Sequence, residues 1–317
     1  MNNISLLYST GVEQVDNILC GVIGMYEMIF PNAIRGYYLL GSYKEGTSVP
    51  ISDIDIDIIF KDAFDVEKAN QAKQYCSLIS SVRLDITPKT KEQILPEDIR
   101  LKLSSILLYG EDIREMLSLL SMKSYLRYIT GWPLHFLTRI RRMQQLTFPL
   151  DYPDPNGEFY GYDTKSIPGW YPSWVERGTK ELVADICWIT TALLGLKAGR
   201  YAGNKAEAIR FYGKYIGDEW TPFTQDMYKK AKLEWMYGIP EGAREQKQLR
   251  ELCRQTLDFE NHFLTVYRDY LLTNLCSTSE DDQLFAVEQL MQVVYLDEEI
   301  TNILQELQAS RRVQSSP

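Results

Sequence analysis

The pattern of apolar and polar positions changes its period near residue 112. Before that point, short apolar or alternating runs predict strands, and apolar residues three or four positions apart predict helices. The predicted strands are residues 35–41, 53–60 and 81–88, the last of them stopped by Pro88. The predicted helices are residues 10–30 and 65–79, followed by a short helix from about Pro96 and an apolar stretch that ends at Gly110.

From there to the end of the chain the pattern is helical. Apolar positions recur at helical spacing over long stretches, with no alternating run between them. The predicted helices are residues 112–128, 132–146, 177–197, 204–216, 222–236, 243–274, 279–295 and 297–309. The sequence therefore predicts an α+β protein of two domains, a small sheet-containing domain at residues 1–112 and an all-α domain at residues 113–317.

The strand predicted at residues 53–60 carries acidic residues where a buried strand would be apolar. It reads DIDIDIIF, so that Asp53, Asp55 and Asp57 alternate with isoleucines. Because strand side chains point alternately to two faces, the three aspartates share one face, with neighbours ~6.7 Å apart. Carboxylates crowded on a partly buried face need a cation or water to offset their repulsion. Ligands that are all oxygen favour Mg²⁺ or Mn²⁺.

Two other interpretations of the acidic strand are weaker. A calcium-binding EF-hand loop also begins with alternating aspartates, but it needs glycine at its sixth position, where this chain has Ile58. An edge strand can carry acids for solubility, but that does not account for the preceding LLGSYKEG. There Gly41 and Ser42 follow an apolar run and expose backbone N–H groups and a hydroxyl, which predicts a phosphate site beside the cation site.

The third strand supplies a further acid. In VRLDIT, the side chains of Arg83, Asp85 and Thr87 point to one face and the apolar residues to the other. If this strand lies beside residues 53–60 with the acidic faces aligned, Asp85 joins the aspartates as a third metal ligand.

Residues 38–60 resemble the signature of the nucleotidyltransferase superfamily, the fold of DNA polymerase β and of antibiotic nucleotidyltransferases. That signature is an apolar residue, Gly, Gly or Ser, about nine to thirteen further residues, and two acids that alternate with apolar residues. This chain has LGS, ten residues from Tyr43 to Ser52, and then DIDI. The later SILLYGEDI is similar to the segment that closes their catalytic domain, so the resemblance covers residues 35–113.

The resemblance implies a small mixed sheet with helices on one side and an enzyme that transfers a nucleoside monophosphate, AMP from ATP above all, to a hydroxyl. It implies two metal ions, usually Mg²⁺ with Mn²⁺ as the alternative, held by Asp53, Asp55 and Asp85. Asp85 is then either a third ligand or the group that activates the acceptor. Gly41 and Ser42 would hold the β- and γ-phosphates of the nucleotide.

The aspartate row contains a second pair with the required spacing. Asp55 with Asp57 also fits the signature, with a spacer of twelve residues. Asp53 and Asp57 would lie ~13 Å apart along the strand, too far to share one ion. The Ser-Asp junction favours Asp53 with Asp55, which leaves Asp57 behind the ligands or facing solvent, and whether Asp57 replaces Asp53 stays open.

The helical half resembles the C-terminal region of aminoglycoside adenylyltransferases of the streptomycin/spectinomycin type. DICWITTALLGLKAGRYAGNKAEAIRFYG followed by AKLEWMYG is similar to their helix, glycine-containing turn, lysine, helix and terminal aromatic residue. The arginine that the family often carries before the turn is missing here, where Thr190, Thr191 and Ala192 stand. The resemblance implies that Lys205 reaches the triphosphate, that Tyr237 lies near the nucleotide, and that the acceptor is a small molecule such as an aminoglycoside.

Composition limits the kinds of binding partner and the cellular compartment that we expect for this protein. The formal net charge of −9 argues against a general nucleic-acid coat and suits a cationic acceptor, although Arg139, Arg141 and Arg142 leave a local basic groove and a tRNA acceptor open. The five cysteines form no C-x-x-C pair, and the chain shows neither a targeting segment nor ~18 consecutive apolar residues. These features favour a cytoplasmic protein without a membrane span, and they leave its oligomeric state open.

Three alternative functions remain, and the intact carboxylates argue against one of them, an inactive binding module that catalyses no reaction. The same chemistry directed at RNA or at a protein would make a toxin-type or regulatory nucleotidyltransferase. An Asp-x-Asp motif also binds Mn²⁺ in glycosyltransferases, but that fold would need a longer α/β domain than residues 1–112 provide.

Overall fold

The computed structural model describes residues 4–94, 97–163, 177–303 and 305. Contacts between Cα atoms divide the chain into two compact units. The first unit comprises Met1–Ser121 and Ala202–Asn204, and the second comprises Met122–Tyr201 and Lys205–Pro317. The domain boundary between residues 112 and 113 stays a prediction.

The first unit is built on a four-stranded mixed sheet. Its elements are α1 (Glu13–Ile29), β1 (Ile34–Leu40), α2 (Gly41–Glu45), β2 (Ile54–Phe60), α3 (Val66–Ile79), β3 (Leu84–Thr90), α4 (Lys91–Ile94), α5 (Ile99–Ser104) and β4 (Ile106–Gly110). The strand order is β3-β2-β1-β4. β2 runs antiparallel to β1 and parallel to β3, so β2 and β3 begin at the edge of the sheet where β1 ends.

One face of this sheet packs against two helices to form the main core of the unit. The isoleucines that alternate with the aspartates of β2 are buried there, namely Ile54, Ile56 and Ile58. Helix α1 contributes buried residues at helical spacing, among them Val15, Leu19 and Val22, and α3 contributes Ala69, Ala72 and Cys76. Each large apolar side chain buried in this way stabilises the fold by about 1.5–3 kcal/mol.

The opposite face of the sheet is covered only in part. A smaller apolar cluster joins β1 and β2 to α4, α5 and the segment after β4; its residues are Tyr38, Leu40, Ile59, Ile94, Leu101, Ile113 and Leu117. The aspartates of β2 lie on this face. Asp57 is 1% exposed, whereas Asp55 is only partly buried and Asp85 of β3 is exposed, so the apolar cover reaches Asp57 and ends before Asp55.

The prediction that Pro88 ends the third strand is wrong. The strand begins at Leu84 and continues through Pro88 to Thr90. Because β3 is an edge strand, a proline whose missing N–H would face outwards removes no ladder hydrogen bond. Lys89 is therefore a strand residue, in register with Ile59 of β2.

The second unit consists mainly of helices. Its described elements are α6 (Met122–Arg141), β5 (Leu146–Phe148), α7 (Lys180–Ala198), α8 (Lys205–Tyr215), α9 (Thr221–Asp226), the π-helix Met227–Glu234, α10 (Ala243–Leu275), α11 (Glu280–Leu290) and β6 (Val293–Tyr295). The predicted α+β class is confirmed, with a mixed sheet followed by long helices. None of the described helices is long and apolar enough to cross a membrane.

The predicted break between helices at 112–128 and 132–146 is wrong. A 3₁₀ turn, Arg114–Met116, comes first, and α6 then runs without interruption through Pro133. A proline inside a helix costs about 3 kcal/mol. Extensive burial along α6, with Tyr125, Ile129 and Leu137 among the buried residues, outweighs that cost.

The end of the chain also differs from its prediction. The helix expected at 279–295 ends at Leu290, because residues 293–295 form β6 and pair in parallel with β5. Two valines and a tyrosine favour a strand here, but their partner lies far away in the sequence and local periodicity does not reveal it. The helix predicted at 297–309 falls in part on residue 304 and residues 306–309, which lie outside the described residues.

Charged residues are buried together inside the second unit. We call this group the buried ion cluster; its members are Arg139, Arg141, Tyr162, Glu181, Asp185 and Glu260. Arg139 pairs with Glu181, and Arg141 pairs with Glu260, which also accepts a 2.7 Å hydrogen bond from the hydroxyl of Tyr162. Arg139 and Arg141 are thus held by internal carboxylates and do not form an exposed basic groove.

Candidate active site

The residues predicted to bind metal and phosphate meet at one edge of the first unit's sheet. β1 ends at Leu40, where Gly41 and Ser42 begin α2. Asp55 lies opposite Leu40 in the neighbouring strand, and Asp85 lies opposite Asp55 in the next one. Because adjacent strands are ~4.8 Å apart, the glycine turn and the two acidic strands form a single edge, which we call the acidic edge.

Gly41 and Asp55 lie in direct contact at this edge. Gly41 has φ +69°, a left-handed conformation that favours glycine. A Cβ atom on Gly41 would lie 2.0 Å from Oδ2 of Asp55. The backbone conformation therefore favours glycine, and any side chain at this position would displace the carboxylate of Asp55.

The loop before β2 presents Asp53 through its own hydrogen bonds. Ser52 is buried, and its Oγ accepts a 2.9 Å hydrogen bond from the N–H of Val49, whose carbonyl accepts one of 2.8 Å from the N–H of Ser52. Asp53 also affects Tyr43 of the neighbouring helix α2. Burial, and after it the charge of Asp53, raise the pKa of the Tyr43 hydroxyl. Tyr43, in α2, therefore belongs to the surroundings of the acidic edge.

The third aspartate of the row is held in a buried ion pair. Oδ2 of Asp57 accepts a 2.8 Å hydrogen bond from Nζ of Lys89, and the same Nζ donates one of 3.0 Å to Oδ2 of Asp98. Burial lowers the pKa of Lys89, but the two carboxylates outweigh it and raise that pKa overall. At 1% exposure Asp57 does not face solvent, so of its two expected positions only the one behind the ligands remains.

Asp85 is exposed and has a cation from helix α3 nearby. Its Oδ1 lies 3.6 Å from Nζ of Lys73, which also donates a 2.8 Å hydrogen bond to the carbonyl of Ile86. Exposed ion pairs contribute little, about 0–1 kcal/mol. Lys73 therefore leaves the carboxylate of Asp85 able to bind another cation.

The oxygen donors of the acidic edge fit Mg²⁺ as a pair rather than as a triad. In the part of the chain that the structure describes, no three His, Cys, Asp or Glu side chains converge on one point that could hold a metal. Asp55 lies on β2 and Asp53 immediately precedes that strand, and both keep some exposure. Mg²⁺ commonly takes one or two carboxylates and completes its shell with water and substrate phosphates, so these two residues suffice. Asp85 remains a proposed third ligand.

The nucleotide ligands predicted in the helical half belong to the second unit. Lys205 is the first residue of α8 and is partly buried. Tyr237 is buried and has φ +66°. Its N–H donates to the carbonyl of Ala231 over 2.8 Å, and its carbonyl accepts a 2.7 Å hydrogen bond from the N–H of Thr179. The backbone of Tyr237 thus joins the π-helix to the start of α7, while the roles of both residues toward a nucleotide stay predictions.

Sequence reasoning missed two lysines beside the aspartates. Lys89 could have been found, because Asp85, Thr87 and Lys89 alternate and share a face once β3 continues past Pro88. Ending the strand at the proline removed that signal. Lys73 approaches from a helix, and no pattern in the sequence places it there.

Comparison with protein families characterises the first unit. Residues 28–141 match the family model described as "Nucleotidyltransferase domain". The matched range contains all four strands of the sheet and the whole acidic edge. A search of curated proteins finds no match to the chain.

Two solved structures are similar to the chain at low identity. The crystal structure of spectinomycin adenyltransferase AAD(9) from Enterococcus faecialis with ATP and spectinomycin has a TM-score of 0.48 and 11% identity, and the similarity covers 77% of this chain and 98% of that one. The crystal structure of a toxin-antitoxin with AMP-PNP has a TM-score of 0.26 and 19% identity, and the similarity covers 41% of this chain and 94% of that one. At these TM-scores neither structure supports an inference about the acceptor.

Proposed function

We propose that this chain, whose residues 28–141 match a nucleotidyltransferase domain, transfers AMP from ATP to a hydroxyl group of a small-molecule acceptor. The acceptor oxygen attacks the α-phosphorus, the bond between the α-phosphorus and the oxygen that bridges it to the β-phosphate breaks, and pyrophosphate leaves. Catalysis of this kind depends mostly on positioning and on neutralisation of charge.

The acidic edge supplies the groups for this reaction. Asp53 and Asp55 would hold Mg²⁺ or Mn²⁺, and Asp85 would either complete the ligand set or accept the proton of the acceptor hydroxyl. When bound, the divalent ions neutralise the triphosphate and assist deprotonation of the acceptor. Gly41 and Ser42 would bind the β- and γ-phosphates through backbone N–H groups and a hydroxyl. Following the resemblance of the helical half, Lys205 would reach the triphosphate and Tyr237 would lie near the nucleotide.

One observation carries the proposal, namely the contact between Gly41 and Asp55. A Cβ on Gly41 would come within 2.0 Å of the Asp55 carboxylate, so with glycine at the turn this carboxylate lies directly against it, and a larger residue there would displace it. A phosphate bound at the turn would then lie beside the carboxylates that hold its metal ion. An edge strand that carried acids only for solubility would not need this contact.

The proposed acceptor is cationic, such as an aminoglycoside. A net charge of −9 attracts cations and repels phosphate polymers. With that acceptor the enzyme would confer antibiotic resistance and act in the cytoplasm, where ATP is present.

The test is incubation of the purified protein with Mg²⁺, each of the four NTPs in turn and a panel of aminoglycosides and other hydroxyl acceptors. We expect pyrophosphate release and an acceptor whose intact mass increases by that of a nucleoside monophosphate minus water. Both signals should vanish in Asp53→Asn and Asp55→Asn. Release of UDP from a UDP-sugar, without pyrophosphate, would overturn the proposal in favour of glycosyl transfer.

A second acceptor class, RNA, is favoured by a basic and aromatic patch around α8. Arg200 and Lys214 lie 4.8 Å and 4.9 Å from the ring centre of Tyr215, and Arg210 lies 4.7 Å from that of Phe211. Single-stranded nucleic acids bind to cationic surfaces on which bases stack against aromatic rings. If RNA is the acceptor, tRNA rather than a small molecule should gain a nucleotide in the same assay, and Arg210→Glu with Lys214→Glu should weaken that labelling.

A further inference from the structure

The three alternating aspartates at the start of β2 form two overlapping pairs, and either pair has the sequence spacing that can hold a divalent cation. Asp53 with Asp55 is the first pair, and Asp55 with Asp57 is the second. Asp55 and Asp57 lie on one face of β2, ~6.7 Å apart along it, and Asp53 immediately precedes the strand. The Ser-Asp junction favours the first pair and leaves the second open. On the proposed function, a residue of β3 decides between the two pairs.

The structure gives the second pair an internal cation. Nζ of Lys89 lies 2.8 Å from Oδ2 of Asp57 and 3.0 Å from Oδ2 of Asp98. The side chains are 19%, 1% and 15% exposed, respectively, so the group is largely withdrawn from water. A carboxylate as deeply buried as that of Asp57 needs a permanent counter-ion, and Lys89 is that ion.

Lys89 also binds Asp98, the residue that caps the N-terminus of α5. Oδ1 of Asp98 accepts a 2.9 Å hydrogen bond from the N–H of Leu101 and so caps the first turn of α5. Leu101 is fully buried against the apolar cluster on this face of the sheet. One lysine therefore joins the end of the aspartate row to the helix that covers it.

We propose that Lys89 is a positioning residue that makes Asp53 and Asp55 the cation-binding pair, by holding Asp57 in the buried ion pair beneath α5. Its ammonium group neutralises Asp57 and repels a divalent ion from the position between Asp55 and Asp57. Loss of Lys89 charge leaves Asp57 as an uncompensated carboxylate beside Asp55, and the second pair then becomes a cation site.

The test is a titration of the full chain with Mn²⁺ in the absence of nucleotide, in which electron paramagnetic resonance measures the free and bound Mn²⁺. Asp53→Asn removes a proposed ligand and should weaken Mn²⁺ binding on the order of 10-fold or more, since even the loss of a group that only supports a ligand costs about 10–100-fold in affinity. The double variant with Lys89→Met should bind Mn²⁺ about fivefold or more tightly than Asp53→Asn alone, because Asp57 then replaces Asp53. A third substitution, Asp57→Asn, should abolish the recovery.

A purely structural role of Lys89 gives a different result. The conservative Lys89→Arg keeps a cation beside Asp57, so together with Asp53→Asn it should show no recovery. Should the methionine variant fail to fold in thermal unfolding, Lys89→Gln makes the same comparison. A folded double variant that binds Mn²⁺ no better than Asp53→Asn alone would overturn the role of Lys89 and leave the proposed function intact. Failure of the wild-type chain to bind Mn²⁺, or unchanged binding in Asp53→Asn, would overturn both.

Discussion

Carboxylates cluster in both units of this protein, but in opposite surroundings. At the acidic edge, Asp53 and Asp55 keep part of their surface in water. In the buried ion cluster, the side chains of Glu181 and Glu260 are 1% and 0% exposed, and each is paired with an arginine. A buried carboxylate has its counter-ion built into the protein, whereas one at an edge can share its charge with a ligand. The difference separates acids that support the fold from acids available for chemistry.

Asp57 shows that the burial of an aspartate, and not its position in the motif, decides whether its counter-ion is a protein side chain. It stands in the same alternating row as the two acids of the edge, yet it is buried like Glu260 and has Lys89 as its internal cation. The apolar cover of α4 and α5 reaches Asp57 and stops short of Asp55. The same strand thus contains both kinds of carboxylate that distinguish the two units.

The largest expected effect comes from removing a carboxylate of the acidic edge. Asp55→Asn keeps the size of the side chain but loses the charge proposed to hold the metal ion, so nucleotidyl transfer should fall on the order of 10³-fold. Stability should change little, because the carboxylate is only partly buried. Pyrophosphate release and urea unfolding measure the two quantities on the same sample.

The matched control is Asp62→Asn, an exposed aspartate just beyond the other end of β2. It should leave the transfer rate within about twofold of wild type, as surface substitutions usually do. Equal losses of activity in both variants would mean that charge anywhere near β2 matters, and the contrast between edge and cluster would fail.

Breaking the buried ion cluster should affect stability before activity. Arg141→Met leaves the fully buried Glu260 without its cation, and the free energy of unfolding should fall by about 3–5 kcal/mol. The control is Arg254→Met, whose partner Glu251 and own side chain are both about half exposed, and whose loss should cost about 1 kcal/mol or less. Urea unfolding midpoints compare the two. Similar losses for both arginines would show that burial does not set the value of these ion pairs.

The sequence predicts the acidic edge better than it predicts the buried ion cluster, for a physical reason. The edge is built from neighbours in the sequence, because a strand places alternate residues such as Asp53 and Asp55 on one face. The glycine turn and Asp85 then follow from strand pairing. The same local logic predicts β1, β2 and α3, whose observed bounds lie within one residue of the predicted ones.

The cluster draws its residues from three helices and a loop, so no local period connects them. Arg141 and Glu260 are 119 positions apart and meet only through tertiary packing. The pairing of β5 with β6 and the path of α6 through Pro133 are hidden for the same reason, since distant contacts outweigh local preference there. Lys89 is the intermediate case, because β3 continues past Pro88 to Thr90, whereas a proline predicts the end of the strand.

A smaller effect tests how tightly the acidic edge is fitted. Gly41→Ala places a Cβ 2.0 Å from Oδ2 of Asp55 and should displace that carboxylate, which lowers transfer on the order of 10²-fold. Gly46→Ala is the control, because Gly46 also has positive φ, at +65°, but has open space around the new Cβ. Both variants should lose about 1–3 kcal/mol of stability to the backbone, and only the first should lose activity. If Gly46→Ala loses as much activity, backbone strain rather than contact with Asp55 explains the result.

The smallest effect concerns Asp185, whose charge the buried ion cluster does not accommodate. Burial, and after it the charge of Glu260, raise the pKa of Asp185 well above its usual value. Between the ordinary pKa of ~3.9 and this raised value, the unfolded chain releases a proton that the native protein keeps, so native stability falls as the pH rises. Asp185→Asn removes this dependence. The stability of the variant relative to wild type should therefore increase from pH 5 to pH 6 in urea unfolding, by at most about 1.4 kcal/mol.

Asp258→Asn provides the reference for this measurement, because the side chain of Asp258 on α10 is mostly exposed, at 58%. Its stability relative to wild type should be the same at both pH values. Parallel pH profiles for Asp185→Asn and wild type would mean that Asp185 is ionised in the native protein. The cluster would then hold three carboxylates against two arginines without a bound proton, and burial would no longer distinguish its acids from those of the acidic edge.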